Sequence, residues 1–113
     1  MGHTVRVDKY AVEGENAKKM YDVIVNSYIY KEYPDSIELD RREGVLIITE
    51  VRTCDEKYRP RLREFVLPFV IGKAYYYFYY FCDSDSGEIS QFYTNDTEGK
   101  YFAKPSAPTV DMI

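Results

Sequence analysis

The sequence predicts a single α+β domain, with a ferredoxin-like β-α-β-β-α-β sheet, a C-terminal β-hairpin extension and both helices on one face. The chain's 113 residues suffice for one hydrophobic core but not for two. Apolar side chains recur with helical spacing in one clear segment and alternate with polar ones in several others. The order of these segments matches a split βαβ arrangement. We assign the domain to residues 1–103 and a flexible tail to residues 104–113.

The first two elements are a strand and an amphipathic helix. Residues 4–12 alternate apolar and polar side chains, which predicts the strand. Residues 17–29 repeat apolar side chains at i, i+3 and i+4, which predicts a helix capped by Asn16. Because the residue before a proline disfavours the helical conformation, we expect the helix to end before Pro34.

A hairpin follows the helix. Residues 36–41 alternate Ile and Leu with acidic side chains, which predicts a strand with one solvated face. Residues 42–44 end in a glycine that tolerates the positive φ of a tight turn. Residues 45–53 begin with four apolar side chains, which predicts a central strand.

The segment between this hairpin and the next strand is ambiguous. Residues 60–72 have helical apolar spacing, but Pro68 would remove an internal helical hydrogen bond. A strand over residues 65–71 is the rival interpretation, and we favour the helix.

The last elements are built around an aromatic run. Residues 74–82 read Ala-Tyr-Tyr-Tyr-Phe-Tyr-Tyr-Phe-Cys, which predicts a strand. Residues 83–87 predict a hairpin loop and residues 88–94 a strand that pairs back. Residues 100–103 offer one further short strand.

The charge distribution restricts the classes of partner. From Glu64 onward, three lysines stand against seven acidic residues, which accounts for the net charge of −4. An acidic domain repels phosphate backbones, so we expect no general nucleic-acid binding. The sequence contains no apolar stretch long enough to span a membrane, and its two cysteines make no disulfide scaffold. We therefore expect a cytoplasmic protein that does not contact a membrane.

Catalytic motifs are scarce. The single histidine, His3, lies beside the first residue, and we find no glycine-rich phosphate loop and no metal-spaced Cys/His cluster. Glu50 on the central strand could be perturbed by burial, but it has no partner at a recognisable spacing, and a solvated edge position explains it as well. We expect no enzymatic activity, no cofactor and no metal.

The aromatic strand carries the main functional hypothesis. Its rings can pack on one another, bind a protein, or stack on nucleic-acid bases, and acidic neighbours disfavour the last. With a period of two, we expect four rings on the sheet face away from the helices, and the sequence leaves open which of the two sets that is. The predicted binding residues are the rings and the acidic hairpin beside them: Tyr75, Tyr77, Tyr79, Phe81, Tyr93, Asp83, Asp85 and Glu88.

These observations lead to one hypothesis and one alternative. The hypothesis is a small acidic protein-interaction domain: a stoichiometric inhibitor, an anti-defence protein of a phage or virus, or an immunity-type protein. The same face could also form a homodimer. The alternative is a nucleic-acid or nucleotide-binding module that uses a basic stretch, formed by Arg52, Lys57, Arg59, Arg61 and Arg63.

Overall fold

The computed structural model describes residues 2–53, 62–64 and 75–103 and confirms a mixed α+β architecture. A five-stranded antiparallel sheet has the strand order β2-β3-β1-β4-β5. The elements in chain order are β1 (Thr4–Glu13), α1 (Glu15–Val25), α2 (Tyr28–Glu32), a 3₁₀ turn (Pro34–Ser36), β2 (Ile37–Arg42), β3 (Val45–Thr53), β4 (Tyr76–Asp83) and β5 (Ile89–Thr94).

The specific ferredoxin-like arrangement with its hairpin extension is not confirmed. The five-stranded order differs from the four-stranded order of that fold, and α1 and α2 both lie between β1 and β2. The helix predicted over residues 60–72 falls outside the described residues, apart from 62–64. The predicted tail, residues 104–113, also lies outside them.

The helical segment differs from its prediction at its start and in its middle. The N-cap residue of α1 is Gly14, which has a φ of 73°, so the predicted Asn16 cap is wrong. The backbone N–H of Gly14 donates to the carbonyl of Gly44. The predicted continuous helix is divided into α1 and α2 at Ser27. The Ser27 hydroxyl donates to the carbonyl of Ile24 at 2.6 Å and accepts from the backbone N–H of Tyr30 at 3.4 Å. This side chain therefore closes one helix and caps the next.

Two apolar clusters lie on opposite faces of the sheet. The helix-side cluster combines sheet residues such as Tyr10 and Ile48 with buried side chains of the two helices, Met20, Ile24 and Ile29. The opposite cluster contains Ala11, Val45, Ile47, Phe78, Phe92 and Phe102. The second face is therefore partly covered by the chain that follows β5.

A buried carboxylate shapes that covering segment. Asp96 is 1% exposed and accepts backbone N–H groups from Lys100 at 2.9 Å, Tyr101 at 2.8 Å and Phe102 at 2.9 Å. The chain wraps around the carboxylate, and residues 100–103 do not form the further strand that the sequence offered. This loop places the Phe102 ring 5.8 Å from that of Phe78.

Candidate functional site

The predicted binding rings of β4 lie on the helix side of the sheet. Tyr75 and Tyr77 pack against the helix-side cluster. Tyr77 is the register partner of Tyr10, and their ring centroids are 4.9 Å apart. The face of β4 that lies away from the helices, which the sequence left open, is therefore the one that carries Tyr76, Phe78 and Tyr80. Both faces of β4 are aromatic, so its alternation could not indicate which face the helices cover.

Three of the predicted rings form a surface beyond the helix-side cluster. We call Tyr79, Phe81 and Tyr93 the aromatic patch. The Tyr79 ring centroid lies 6.0 Å from that of Phe81 and 6.0 Å from that of Tyr93. Tyr93 is 49% exposed, and the other two are partly exposed. The patch therefore offers aromatic area to a partner.

Arg6 on β1 packs against two rings of this patch. Its guanidinium lies 4.5 Å from the ring centroid of Tyr79 and 5.4 Å from that of Phe81. The Arg6 Nε atom donates to both carboxylate oxygens of Asp8, at 3.1 and 3.3 Å. Burial lowers the pKa of Arg6, but the hydrogen bond and charge of Asp8 outweigh it and raise the pKa. Arg6 thus remains a cation stacked on the rings.

Asp8 belongs to a buried charge cluster that the sequence analysis missed. Asp8 is 5% exposed and Glu50 1%, and they are register partners on β1 and β3. Arg52 lies 3.7 Å from Asp8 and 3.6 Å from Glu50, and the Tyr77 hydroxyl donates to Asp8 at 2.6 Å. Burial, followed by this bond to Asp8, raises the pKa of Tyr77.

Of the two positions that the sequence left open for Glu50, the structure shows the buried one and not the solvated edge. Its carboxylate also accepts the backbone N–H of Leu62 at 3.1 Å. One signal could have revealed this burial. With a period of two, Glu50 and Arg52 are in phase with Leu46 and Ile48, which face the core.

The acidic hairpin divides into a structural residue and two exposed ones. The Asp83 carboxylate accepts the backbone N–H groups of Asp85 at 3.0 Å and Ser86 at 2.9 Å. The bond from Ser86 is the main cause of the lowered pKa of Asp83. Asp83 therefore holds the turn, whereas Asp85 and Glu88 are exposed and can meet a partner.

The alternative anion-binding stretch is only partly described. Arg52 is engaged with Asp8 and Glu50 and does not present a free guanidinium. Arg63 is exposed and lines a pocket on the helix side. The remaining predicted members lie outside the described residues; they are Lys57, Arg59 and Arg61.

The described ranges contain neither a candidate metal site nor a helix that could cross a membrane. Among residues 2–53, 62–64 and 75–103, no group of three or more His, Cys, Asp or Glu side chains could hold a metal ion. Within the same ranges, no helix has the length and apolar character needed to cross a membrane.

Comparison of the chain with family models, with curated proteins and with solved structures finds no match.

Proposed function

We propose that this chain is a small acidic protein-binding domain that contacts its partner through the aromatic patch. The observation that carries the proposal is the exposure of Tyr93 beside Tyr79, whose ring also contacts that of Phe81. Tyrosine and phenylalanine supply rigid contact area at low entropic cost and are enriched at protein interfaces.

The buried charge cluster holds the side chains of the aromatic patch in an ordered arrangement. Asp8 fixes Arg6, and Arg6 stacks on Tyr79 and Phe81. A surface whose side chains are already ordered loses less conformational entropy on binding. Of the predicted binding residues, Tyr75 and Tyr77 then act as support beneath the patch, because they pack on the core.

The proposed partner is a protein with a cationic contact surface. The exposed Asp85 and Glu88 follow Phe81 closely in the chain, and the net charge of −4 attracts a basic partner over long range. Stoichiometric binding without catalysis is the mode of inhibitors, including anti-defence proteins of phages or viruses and immunity-type proteins. We propose this class and a cytoplasmic location.

The ferredoxin-like topology also remains a proposal. It is supported by the position of β1 between β3 and β4, with every neighbouring pair antiparallel. Backbone chemical shifts of residues 60–72 test it. Helical shifts would support the second crossover helix, and extended shifts would contradict it.

A comparative pull-down tests the function. Tagged wild type, Tyr93→Ala and Tyr28→Ala are incubated with lysate of the source cells at low and high salt, and retained protein and nucleic acid are quantified. Tyr28 is the matched control, because it is 55% exposed but lies on α2. We expect one protein to be retained by wild type and Tyr28→Ala, and retention by Tyr93→Ala to fall about tenfold.

Other outcomes contradict the proposal in distinct ways. Equal retention by all three proteins excludes the patch as the binding surface. Nucleic acid retained only at low salt favours the basic-stretch alternative. Self-association that Tyr93→Ala abolishes, with no other protein retained, identifies a homodimer.

A further inference from the structure

The strand β5, which carries Tyr93 of the aromatic patch, forms one edge of the sheet. In the part of the chain that the structure describes, β5 has one neighbouring strand, β4, and the opposite edge is formed by β2. Three side chains of β5 are exposed: Ser90, Gln91 and Tyr93. An exposed edge strand can add a strand of another protein to the sheet through backbone hydrogen bonds.

The residues of β5 do not include the charged side chains with which many proteins protect a sheet edge. The strand reads Ile-Ser-Gln-Phe-Tyr-Thr, with neither a charge nor a proline. In contrast, β2 at the other edge has four charged side chains among its six residues. The register shift between β4 and β5 lies beside Phe81 and Cys82, at the hairpin end. Residues 91–94 therefore present a regular edge that is open to pairing.

The pairing with β4 determines which backbone groups of β5 point outward. The backbone N–H of Asn95 donates to the carbonyl of Tyr77, so these two positions are hydrogen-bonded. In an antiparallel pair of strands, hydrogen-bonded and non-hydrogen-bonded positions alternate. The backbone of Tyr93 is therefore bonded to β4, whereas the N–H and C=O groups of Phe92 and Thr94 point away from it. A strand added at this edge would bond to Phe92 and Thr94.

The side chains along this edge indicate the sequence pattern of the added strand. The register places Asp8, Tyr79 and Tyr93 in one row across the helix side of the sheet, so the next side chain in that row lies beside Tyr93. A cation suits the exposed ring of Tyr93, because the guanidinium of Arg6 already lies over the ring of Tyr79 in this manner. On the opposite face, an apolar side chain suits the position beside Phe92, which belongs to the apolar cluster there.

The charge of the chain favours a basic segment over a second copy of the chain at this edge. The hairpin that leads into β5, residues 83–88, has three acidic and no basic side chains, and the net charge is −4. A second copy carries the same negative charge and is repelled at long range, whereas a segment with lysines or arginines is attracted.

We propose that β5 binds an extended segment of the partner protein in which cationic and apolar side chains alternate, and that this segment is added to the sheet as a strand. Its backbone bonds to Phe92 and Thr94, and its cationic side chains lie beside Tyr93. This inference rests on the proposed function and adds to it the conformation and the sequence pattern of the partner.

Amide hydrogen exchange followed by nuclear magnetic resonance tests the proposal. The probe is a short blocked peptide that alternates lysine with valine. In the isolated domain, the amides of Gln91 and Tyr93 should exchange slowly and those of Phe92 and Thr94 rapidly. We expect the peptide to bind with a Kd of order mM or tighter. At saturation, it should slow the exchange of the Phe92 and Thr94 amides about tenfold or more.

Two altered peptides and two variants are the controls. The same peptide with N-methyl groups on all its internal amides cannot donate to β5, and a peptide that alternates glutamate with valine reverses the charge; each should bind about tenfold more weakly. Tyr93→Ala should weaken binding of the lysine peptide about tenfold, and Tyr28→Ala, exposed on α2, should leave it unchanged. Thermal melts verify folding, and the altered peptides keep the test valid in wild type if Tyr93→Ala is poorly folded.

Several results would overturn the proposal. These are no saturable binding of the lysine peptide, equally tight binding of the N-methyl or the glutamate peptide, and Phe92 and Thr94 amides that are already protected in the isolated domain. Protection of these amides that grows with the concentration of the domain alone identifies a second copy as the occupant and also overturns it.

Exchange in the complex with the protein retained in the pull-down separates this inference from the proposed function. If retention depends on Tyr93 but the amides of Phe92 and Thr94 still exchange rapidly, strand addition is overturned and the proposed function stands. If the lysine peptide protects these amides but retention does not depend on Tyr93, the edge site stands and the proposed function is contradicted.

Discussion

Replacing Asp96 should detach the segment that covers the second face of the sheet. The Asp96 carboxylate accepts three backbone N–H groups, from Lys100, Tyr101 and Phe102. At about 1 kcal/mol net for each bond, Asp96→Ala should lower the free energy of unfolding by about 3 kcal/mol. If Phe102 also leaves Phe78, the loss should rise towards about 5 kcal/mol. A domain of this kind is stable by about 5–15 kcal/mol, so the variant should still fold.

Denaturant unfolding followed by circular dichroism measures this loss. The matched control is Asp85→Ala, an exposed acidic residue, which should change the free energy of unfolding by less than about 0.5 kcal/mol. Asp96→Asn keeps one acceptor oxygen and should lose about half as much as Asp96→Ala. If Asp96→Ala is as stable as Asp85→Ala, the carboxylate does not hold the loop and this reasoning is refuted.

The difference in unfolding free energy between wild type and Asp96→Asn should depend on pH, which gives a second test of the role of Asp96. Burial acts to raise the pKa of Asp96, but the backbone N–H groups of Tyr101, Phe102 and Lys100 outweigh it and lower the pKa. A carboxylate whose pKa is lower in the folded than in the unfolded state stabilises the fold. This stabilisation is complete above the unfolded-state pKa of about 3.9 and is lost as the pH falls through the folded-state pKa. The stability difference between wild type and Asp96→Asn should therefore shrink below about pH 4. A difference that grows on acidification would contradict the assignment.

Three further substitutions test the interior in the same denaturation assay. Tyr77→Phe removes the donor to buried Asp8 and should cost about 1–3 kcal/mol; no loss would show that this bond is not needed. Glu50→Ala leaves the buried Leu62 N–H without its partner and removes one of the two carboxylates beside Arg52, so it should cost about 3 kcal/mol; a neutral effect would mean that Glu50 is solvated. Ser27→Ala removes the cap of α2 and should cost about 1 kcal/mol; an unchanged or increased stability would contradict a capping role.

Strand positions were largely predictable from the sequence, because alternation and turn residues act locally. The strand predicted over residues 45–53 has the same bounds as β3. The strand predicted over residues 4–12 is β1 without its last residue. The break in the helix was not predictable from apolar spacing, which continues across it. It depends on hydrogen bonds of the Ser27 hydroxyl.

The candidate site was harder to predict because it depends on which face each strand buries. Tyr79 and Phe81 were correctly placed on one face, since alternation fixes which residues of a strand share a side, and Tyr93 joins that face through its pairing with Tyr79. Which side the helices cover is set by the packing of Tyr10 and Tyr77 with the helices, a long-range choice. The polarity of Asp8 and Glu50 predicts exposed side chains, but both are buried. They lie opposite each other in the register between β1 and β3, which the sequence does not show.

The proposed function requires that the aromatic patch bind a protein. Isothermal titration of the retained partner against wild type, Tyr93→Ala and Tyr28→Ala tests it most directly. We predict a Kd about tenfold or more weaker for Tyr93→Ala and unchanged for Tyr28→Ala. The same Kd for Tyr93→Ala and wild type, with both correctly folded, would contradict the account.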